Sequence, residues 1–179
     1  MRIGLIGTGR IGTFHAEVLG RHTAVDSLVV ADADPARAAE VAASTGASAA
    51  PVDELFARGA VDAVVIASAT SAHASLIGRA ARAGLPVFCE KPIALDLPGT
   101  LDALAEVESA GSVLQLGFMR RFDAGYGAAR AAVREGRLGR LHTVRAITSD
   151  PAPPPPPISR SPAGCTGTAW SMTSTSCGG

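Results

Sequence analysis

A chain of 179 residues is long enough for one domain of ordinary size and the beginning of a second. Its 16 basic and 16 acidic residues cancel, so no basic stripe offers itself to nucleic acid and no cationic amphipathic segment to a membrane surface. Hydrophobic residues make up 47% and aromatics only 4%, which implies a core of Ala, Val, Leu and Ile. Met1 leads directly into an apolar strand broken by Gly4, Gly7 and Gly9, without the charged-then-apolar order of a signal peptide. No apolar run reaches membrane-spanning length. Cys89, Cys165 and Cys177 are an odd, scattered set that fits a reducing cytoplasm better than a disulfide framework, and the four histidines lack metal-ligand spacing.

Residues 2–6 form a short apolar run that predicts a buried parallel strand. Ile11, Phe14, Val18 and Leu19 then recur at helical spacing from about 11 to 21. Ser27 to Ala31 reads as a second strand, closed by Asp32-Ala33-Asp34-Pro35, and Pro35 at a first helical turn starts a helix through Ala43. A short helix at Pro51–Phe56 precedes an apolar strand from Val61 to Ala67. A helix from Ala72 to Ala83 is stopped by Gly84, and strand Leu85–Cys89, helix Leu97–Ala110 and strand Ser112–Gly117 follow. This alternation, with near-continuous apolar strands, predicts an α/β fold: a doubly wound parallel sheet covered on both faces, spanning residues 1–119. A helix at Gly125–Glu135 and a strand at Leu141–Ser149 are expected to open a second, incomplete α+β domain over 120–150. Residues 151–179 are rich in Pro, Ser, Thr and Gly without periodicity, which predicts a disordered tail.

Gly7-Thr8-Gly9-Arg10-Ile11-Gly12 follows the first strand and opens the first helix, and Asp32 lies twenty positions beyond Gly12. That is the context a dinucleotide-binding turn requires. Gly7 permits the tight turn, Gly9 lets the backbone approach a pyrophosphate, and Gly12 lets helix and strand pack closely. The helix N-terminus adds free N–H groups and about half a positive charge. Asp32 is expected to accept the adenosine ribose hydroxyls. An added 2′-phosphate would meet its carboxylate, with a repulsion of about 4 kcal/mol per charge pair at ~4 Å and an effective dielectric near 20. No arginine directly follows Asp32, so NAD is favoured over NADP, a preference that Arg10 would soften by swinging toward the adenine side.

Three further runs join this turn and its His15-Ala16: Val64-Val65-Ile66-Ala67-Ser68 with Thr70 and His73, Val87-Phe88-Cys89-Glu90-Lys91-Pro92, and Leu116-Gly117-Phe118-Met119-Arg120-Arg121-Phe122-Asp123. Together, in this order, they resemble the glucose–fructose oxidoreductase/inositol dehydrogenase (Gfo/Idh/MocA) family over about residues 1–155, and its inositol 2-dehydrogenase branch in particular. Ala69 and Leu85 depart from a proline and a lysine common in the family. The resemblance implies an NAD-dependent dehydrogenase acting on a polyol or sugar hydroxyl, myo-inositol above all. It assigns Lys91 to the substrate hydroxyl beside the nicotinamide, as the group that stabilises a developing alkoxide. A lysine suits this, being a compact cation whose pKa falls when desolvated. Glu90 would orient the loop and the cofactor, and Ser68, Thr70 and His73 would lie near the nicotinamide ribose and diphosphate. His15 is expected to pack at the phosphate-binding helix, and Cys89 to be a buried strand residue.

The resemblance also implies homo-oligomers and a second domain built on a large open sheet, with a His/Asp pair whose histidine is the general base. Here most of that sheet is missing, and none of His22, His73 or His142 stands in a matching motif. Residues 164–179 can be back-translated with permitted codons so that the frame starting at the third base encodes MYRDSMVHDIDILRW, which resembles the family's continuation. The expectation is a one- or two-base slip between the proline run and Ala163, leaving activity impaired. One DNA read across codons 150–165 that upholds the present frame removes it. The alternatives are a catalytically dead NAD-binding module and a non-functional frameshift product.

Overall fold

Six short strands lie parallel in one sheet in the order β3-β2-β1-β4-β5-β6 in a computed structural model that describes residues 1–147. They are β1 (Arg2–Ile6), β2 (Ser27–Ala31), β3 (Ser48–Ala49), β4 (Ala63–Ile66), β5 (Val87–Cys89) and β6 (Leu114–Leu116). Helices α1 (Arg10–Gly20), α2 (Pro35–Thr45), α3 (Thr70–Arg82) and α4 (Leu97–Ser109) connect them, with a 3₁₀ turn at Val52–Phe56. The chain divides into two units, Met1–Phe118 and a second beginning at Met119. The doubly wound parallel sheet read from the sequence is the observed architecture, and β3, two residues long, is the strand that reading lacked.

Side-chain alternation along the strands builds two cores. Ile3, Leu5, Leu28, Val30 and Val65 join Ala16 of α1 and Val41 and Ala42 of α2 on one face. Ile6, Ala31, Val64 and Ile66 join Leu76, Ile77 and Ala80 of α3 and Ala103 and Val107 of α4 on the other. Each fully buried Leu, Ile or Val contributes roughly 1.5–3 kcal/mol, so the central strands anchor the sheet. Gly4 in mid-strand serves this packing: a Cβ there would come within 2.8 Å of the Leu55 side chain.

The apolar spacing that marks α1 does not mark its buried face. Ile11, Phe14 and Val18 are 40%, 60% and 48% exposed, while Gly12 and Ala16 are buried. Small residues face the sheet because the helix must approach β1 closely at the turn after it.

The second unit holds a 3₁₀ turn at Met119–Arg121 and α5 (Ala124–Arg134), whose N-terminus is capped by Asp123 accepting from Tyr126 N at 3.0 Å. The strand expected from Leu141 is absent through residue 147: no described residue there pairs in a sheet, and Leu141, Val144 and Ile147 are exposed. A strand exists only through its partners' hydrogen bonds, and apolar alternation alone does not supply them. The end of that strand and the expected tail, 151–179, lie outside the described residues.

Candidate functional site

The sheet order reverses direction between β1 and β4, and parallel sheets bind ligands in the crevice beyond the carboxyl ends at such a point. After β1, Gly7 takes φ +99° and donates its N–H to Ala31 O at 2.8 Å. A Cβ on Gly7 would lie 2.5 Å from Ser68 N, so the turns after β1 and β4 touch through backbone. A Cβ on Gly12 would collide with Gly7 O, whereas one on Gly9 would meet nothing within 4 Å. The turn is closed behind and open in front.

Helix capping differs in the same place. Asp34 caps α2, accepting from Ala36 N at 3.0 Å, and Asp96 caps α4, accepting from Gly99 N at 2.8 Å. Helices α1 and α3, which flank the crevice, have no side-chain cap and no acidic residue in the first turn. Their leading N–H groups therefore remain available to an anion. Arg10 and Ile11 begin α1 and are exposed, and Thr8 is buried between the turn and Asp32.

Asp32, at the end of β2, is buried and fully engaged. Its Oδ2 accepts from Thr8 N at 2.7 Å and Thr8 Oγ1 at 2.9 Å, and its Oδ1 accepts from Asp34 N at 2.9 Å and from Arg37 at 2.8 Å. Burial alone would raise the pKa of this carboxyl. The donors, led by Asp34 N–H and the Arg37 guanidinium, overcome burial and hold it at about 2. Arg37, in the first turn of α2, stands five residues beyond Asp32 rather than directly after it. An arginine at i+5 from a strand-end aspartate, across an Asp-Pro helix start, was the available signal.

At the end of β4, Ser68 is half-buried and Thr70 opens α3. His73 sits beneath them rather than in the crevice. Its ring is buried, with Nδ1 2.7 Å from Pro92 O and Nε2 3.0 Å from Ser68 O. After β5, Glu90 donates its N–H to Ile66 O at 2.9 Å, and its Oε1 lies 2.9 Å from His15 Nε2 on α1. The Lys91–Pro92 bond is cis. Lys91 itself is exposed and makes no hydrogen bond or ion pair with any described residue. It is also the only lysine in the chain, beside fifteen arginines. That composition was in plain view and singles out the position without any motif. Cys89, directly before, is buried, and desolvation followed by the Glu90 charge pushes its thiol up to about 12, so it is inert.

Contacts thus run continuously around the crevice: Gly7 against Ser68, Ser68 to His73, His73 to Pro92, and Glu90 to His15 on the helix that Gly9 opens. A family model described as the GFO_IDH_MocA oxidoreductase family with an NAD-binding Rossmann fold matches residues 1–118. The chain belongs to this family.

Among Gfo/Idh/MocA proteins, an inositol 2-dehydrogenase of Rhizobium meliloti is 41% identical over 87% of this chain and 47% of its own length. A myo-inositol 2-dehydrogenase of Thermotoga maritima is 40% identical over 87% of the chain and 47% of its own length. The solved scyllo-inositol dehydrogenase of Lactobacillus casei, with bound NAD(H) and scyllo-inositol, superposes with a TM-score of 0.72 at 31% identity, over 78% of this chain and 42% of that one. The chain spans about half the length of the curated relatives it matches. Among the described residues no helix is long and apolar enough to cross a membrane.

Proposed function

We propose that this chain is the nucleotide-binding part of an NAD-dependent dehydrogenase that oxidises a hydroxyl of an inositol-like polyol. Residues 1–119 form the cofactor domain in this reading, and residues from 120 onward begin the substrate domain. The single observation that carries it is the sole lysine, without a partner among the described residues, at the carboxyl end of β5 and linked by backbone and histidine contacts to an uncapped glycine turn. The names of the relatives supply the substrate class, an inositol.

The residues fit the cofactor. Gly9 leaves a face open to the pyrophosphate, the first-turn N–H groups of α1 bind its charge, and Gly7, Thr8, Arg10, Ile11 and Gly12 shape the rest of the turn. Asp32 accepts the ribose hydroxyls as Arg37, the solvent-exposed one of its four donors, yields its place at Oδ1, and Ser68 and Thr70 line the nicotinamide side, with His73 supporting them from below. NAD, when bound, supplies the hydride acceptor. Lys91 donates to the substrate hydroxyl and stabilises negative charge as its proton leaves, an effect strongest in a dehydrated cleft. Of the described histidines near the crevice, His73 has both ring nitrogens against carbonyls, and His15 turns Nε2 to Glu90.

Fluorescence titration with NADH and NADPH, alongside an assay of inositol-dependent NAD reduction, tests the reading. NADH should bind at least about tenfold more tightly than NADPH, a difference of about 1.4 kcal/mol. No affinity for either nucleotide ends the proposal. Binding without turnover, in a soluble and folded sample, favours the second reading, an NAD-binding module without catalysis. That reading draws support from the placement of every proposed nucleotide contact inside the unit Met1–Phe118.

A further inference from the structure

Lys91 has no side-chain partner among the described residues, yet the residues on either side of it are each held by a histidine. On one side, His15 Nε2 meets Glu90 Oε1 at 2.9 Å, and the pair is only 21% and 22% exposed. An ionised carboxylate only accepts, so the ring nitrogen donates. The imidazole is also wedged edge-on against Phe88, with ring centroids 5.6 Å apart at 71°. Glu90 in turn lies against Gly117, where a Cβ would come within 3.0 Å of the carboxylate. On the other side, buried His73 reaches Pro92 O through Nδ1 and Ser68 O through Nε2.

Both histidines stand on the elements that make the phosphate end of the crevice. His15 is on α1, whose first residue follows Gly9, and His73 is tied to Ser68, whose backbone abuts Gly7. We propose that His15 and His73 are positioning residues that bracket Lys91, through Glu90 and Pro92 respectively, and so fix the distance between the ammonium group and the nucleotide. The inference rests on the NAD reading above and adds to it two residues that touch neither cofactor nor substrate.

The composition supplies the probe. Primary amines in this chain are the Lys91 ε-amine and the Met1 α-amine, which is ion-paired to Asp26 at 2.6 Å and serves as internal control. Acylation by a succinimidyl acetate, read by peptide mass spectrometry, therefore reports Lys91 directly. With NAD at ten times each protein's own dissociation constant, mass action sets full protection at about tenfold. The parent chain should show nearly that protection. His15→Leu should reduce it to below about threefold at matched occupancy. His15→Gln, which can still donate to Glu90, should restore it, which a purely structural loss would not do. His73→Asn places its amide near Nδ1 and should retain protection, while His73→Gln places it near Nε2 and should not. Thermal melting of each variant separates misfolding from misplacement, and the His15 pair decides the matter if the buried His73 variants fail to fold.

Equal protection in His15→Leu and the parent overturns the inference while leaving the NAD reading intact, and so does a His15→Gln variant no better than leucine. A parent chain that binds no NAD removes both.

Discussion

The turn after β1 and the strand end after β5 face the same crevice and are built on opposite principles. The first is made of backbone: its specificity lies in atoms that are missing, because side chains at Gly7 and Gly12 would overlap Ser68 and Gly7 itself. The second is made of side chains: Lys91 has no partner among the described residues, while Glu90, His15 and His73 hold the chain around it. A backbone site has no conservative substitution, whereas a side-chain site can be repaired by any residue that puts a donor in the same place. The contrast predicts where mutations damage folding and where they damage only chemistry.

The largest effect is expected at Gly12. Its neighbour is a backbone carbonyl, which cannot rotate away, so Gly12→Ala must push α1 off the sheet. Destabilisation of about 3 kcal/mol or more should appear in urea unfolding. An alanine variant as stable as the parent would mean that the turn is not closed as described.

Asp32 comes next, because it joins the two principles: a side chain accepting from backbone. Asp32→Asn replaces one acceptor oxygen by a donor facing N–H groups, and should cost about 2 kcal/mol at pH 7, the equivalent of its depression from 3.8 to about 2. A carboxyl with a folded-state pKa below its unfolded one stabilises the protein above the unfolded value, and the contribution disappears as pH falls through the folded one. Stability of the parent should therefore decline relative to Asp32→Asn between about pH 4 and pH 2. Parallel stability–pH curves for the two proteins would show that the network is not holding the charge.

A smaller change follows from Arg37, whose side chain is half in solvent. Arg37→Ala removes one of the donors to Oδ1, so the Asp32 carboxyl should titrate at higher pH than in the parent and the acid transition should move upward with it. The same variant leaves the carboxylate less neutralised and should widen the preference for NADH over NADPH. Titration of both nucleotides checks this, and an unchanged ratio would show that Arg37 does not shape the ribose site.

How much of this was legible in the sequence follows the same division. The strands of the central sheet were legible because fully buried parallel strands read as apolar runs, and the glycine turn because its residues are constrained locally. The buried face of α1 was not, since Gly12 and Ala16 carry no apolar signal while exposed Ile11, Phe14 and Val18 do. The expected strand from Leu141 failed for a related reason: alternation reports a face able to be buried, and pairing depends on partners elsewhere in the chain. At the site, motif spacing pointed to Asp32, Glu90 and Lys91, but the contacts that hold them are long-range. Arg37, five positions from Asp32, is the local exception, whereas His15 and Glu90 are 75 positions apart and His73 and Pro92 are 19 apart. No local pattern encodes such pairings.

Gly9 offers the sharpest separation of folding from binding, with the smallest expected effect on stability. Its φ of −69° suits any residue, and a Cβ there meets nothing within 4 Å. Gly9→Ala therefore gives up only a modest N-cap preference, under about 1 kcal/mol. The space the methyl group fills is the open front of the turn, where a pyrophosphate must come against backbone N–H groups to be bound. NADH affinity should then fall by about tenfold or more while the melting temperature barely moves. Gly12→Ala reverses that ranking, with folding lost first. If Gly9→Ala instead binds NADH like the parent, the front of the turn is not where the phosphates lie, and the backbone half of the comparison has been placed on the wrong side of the helix.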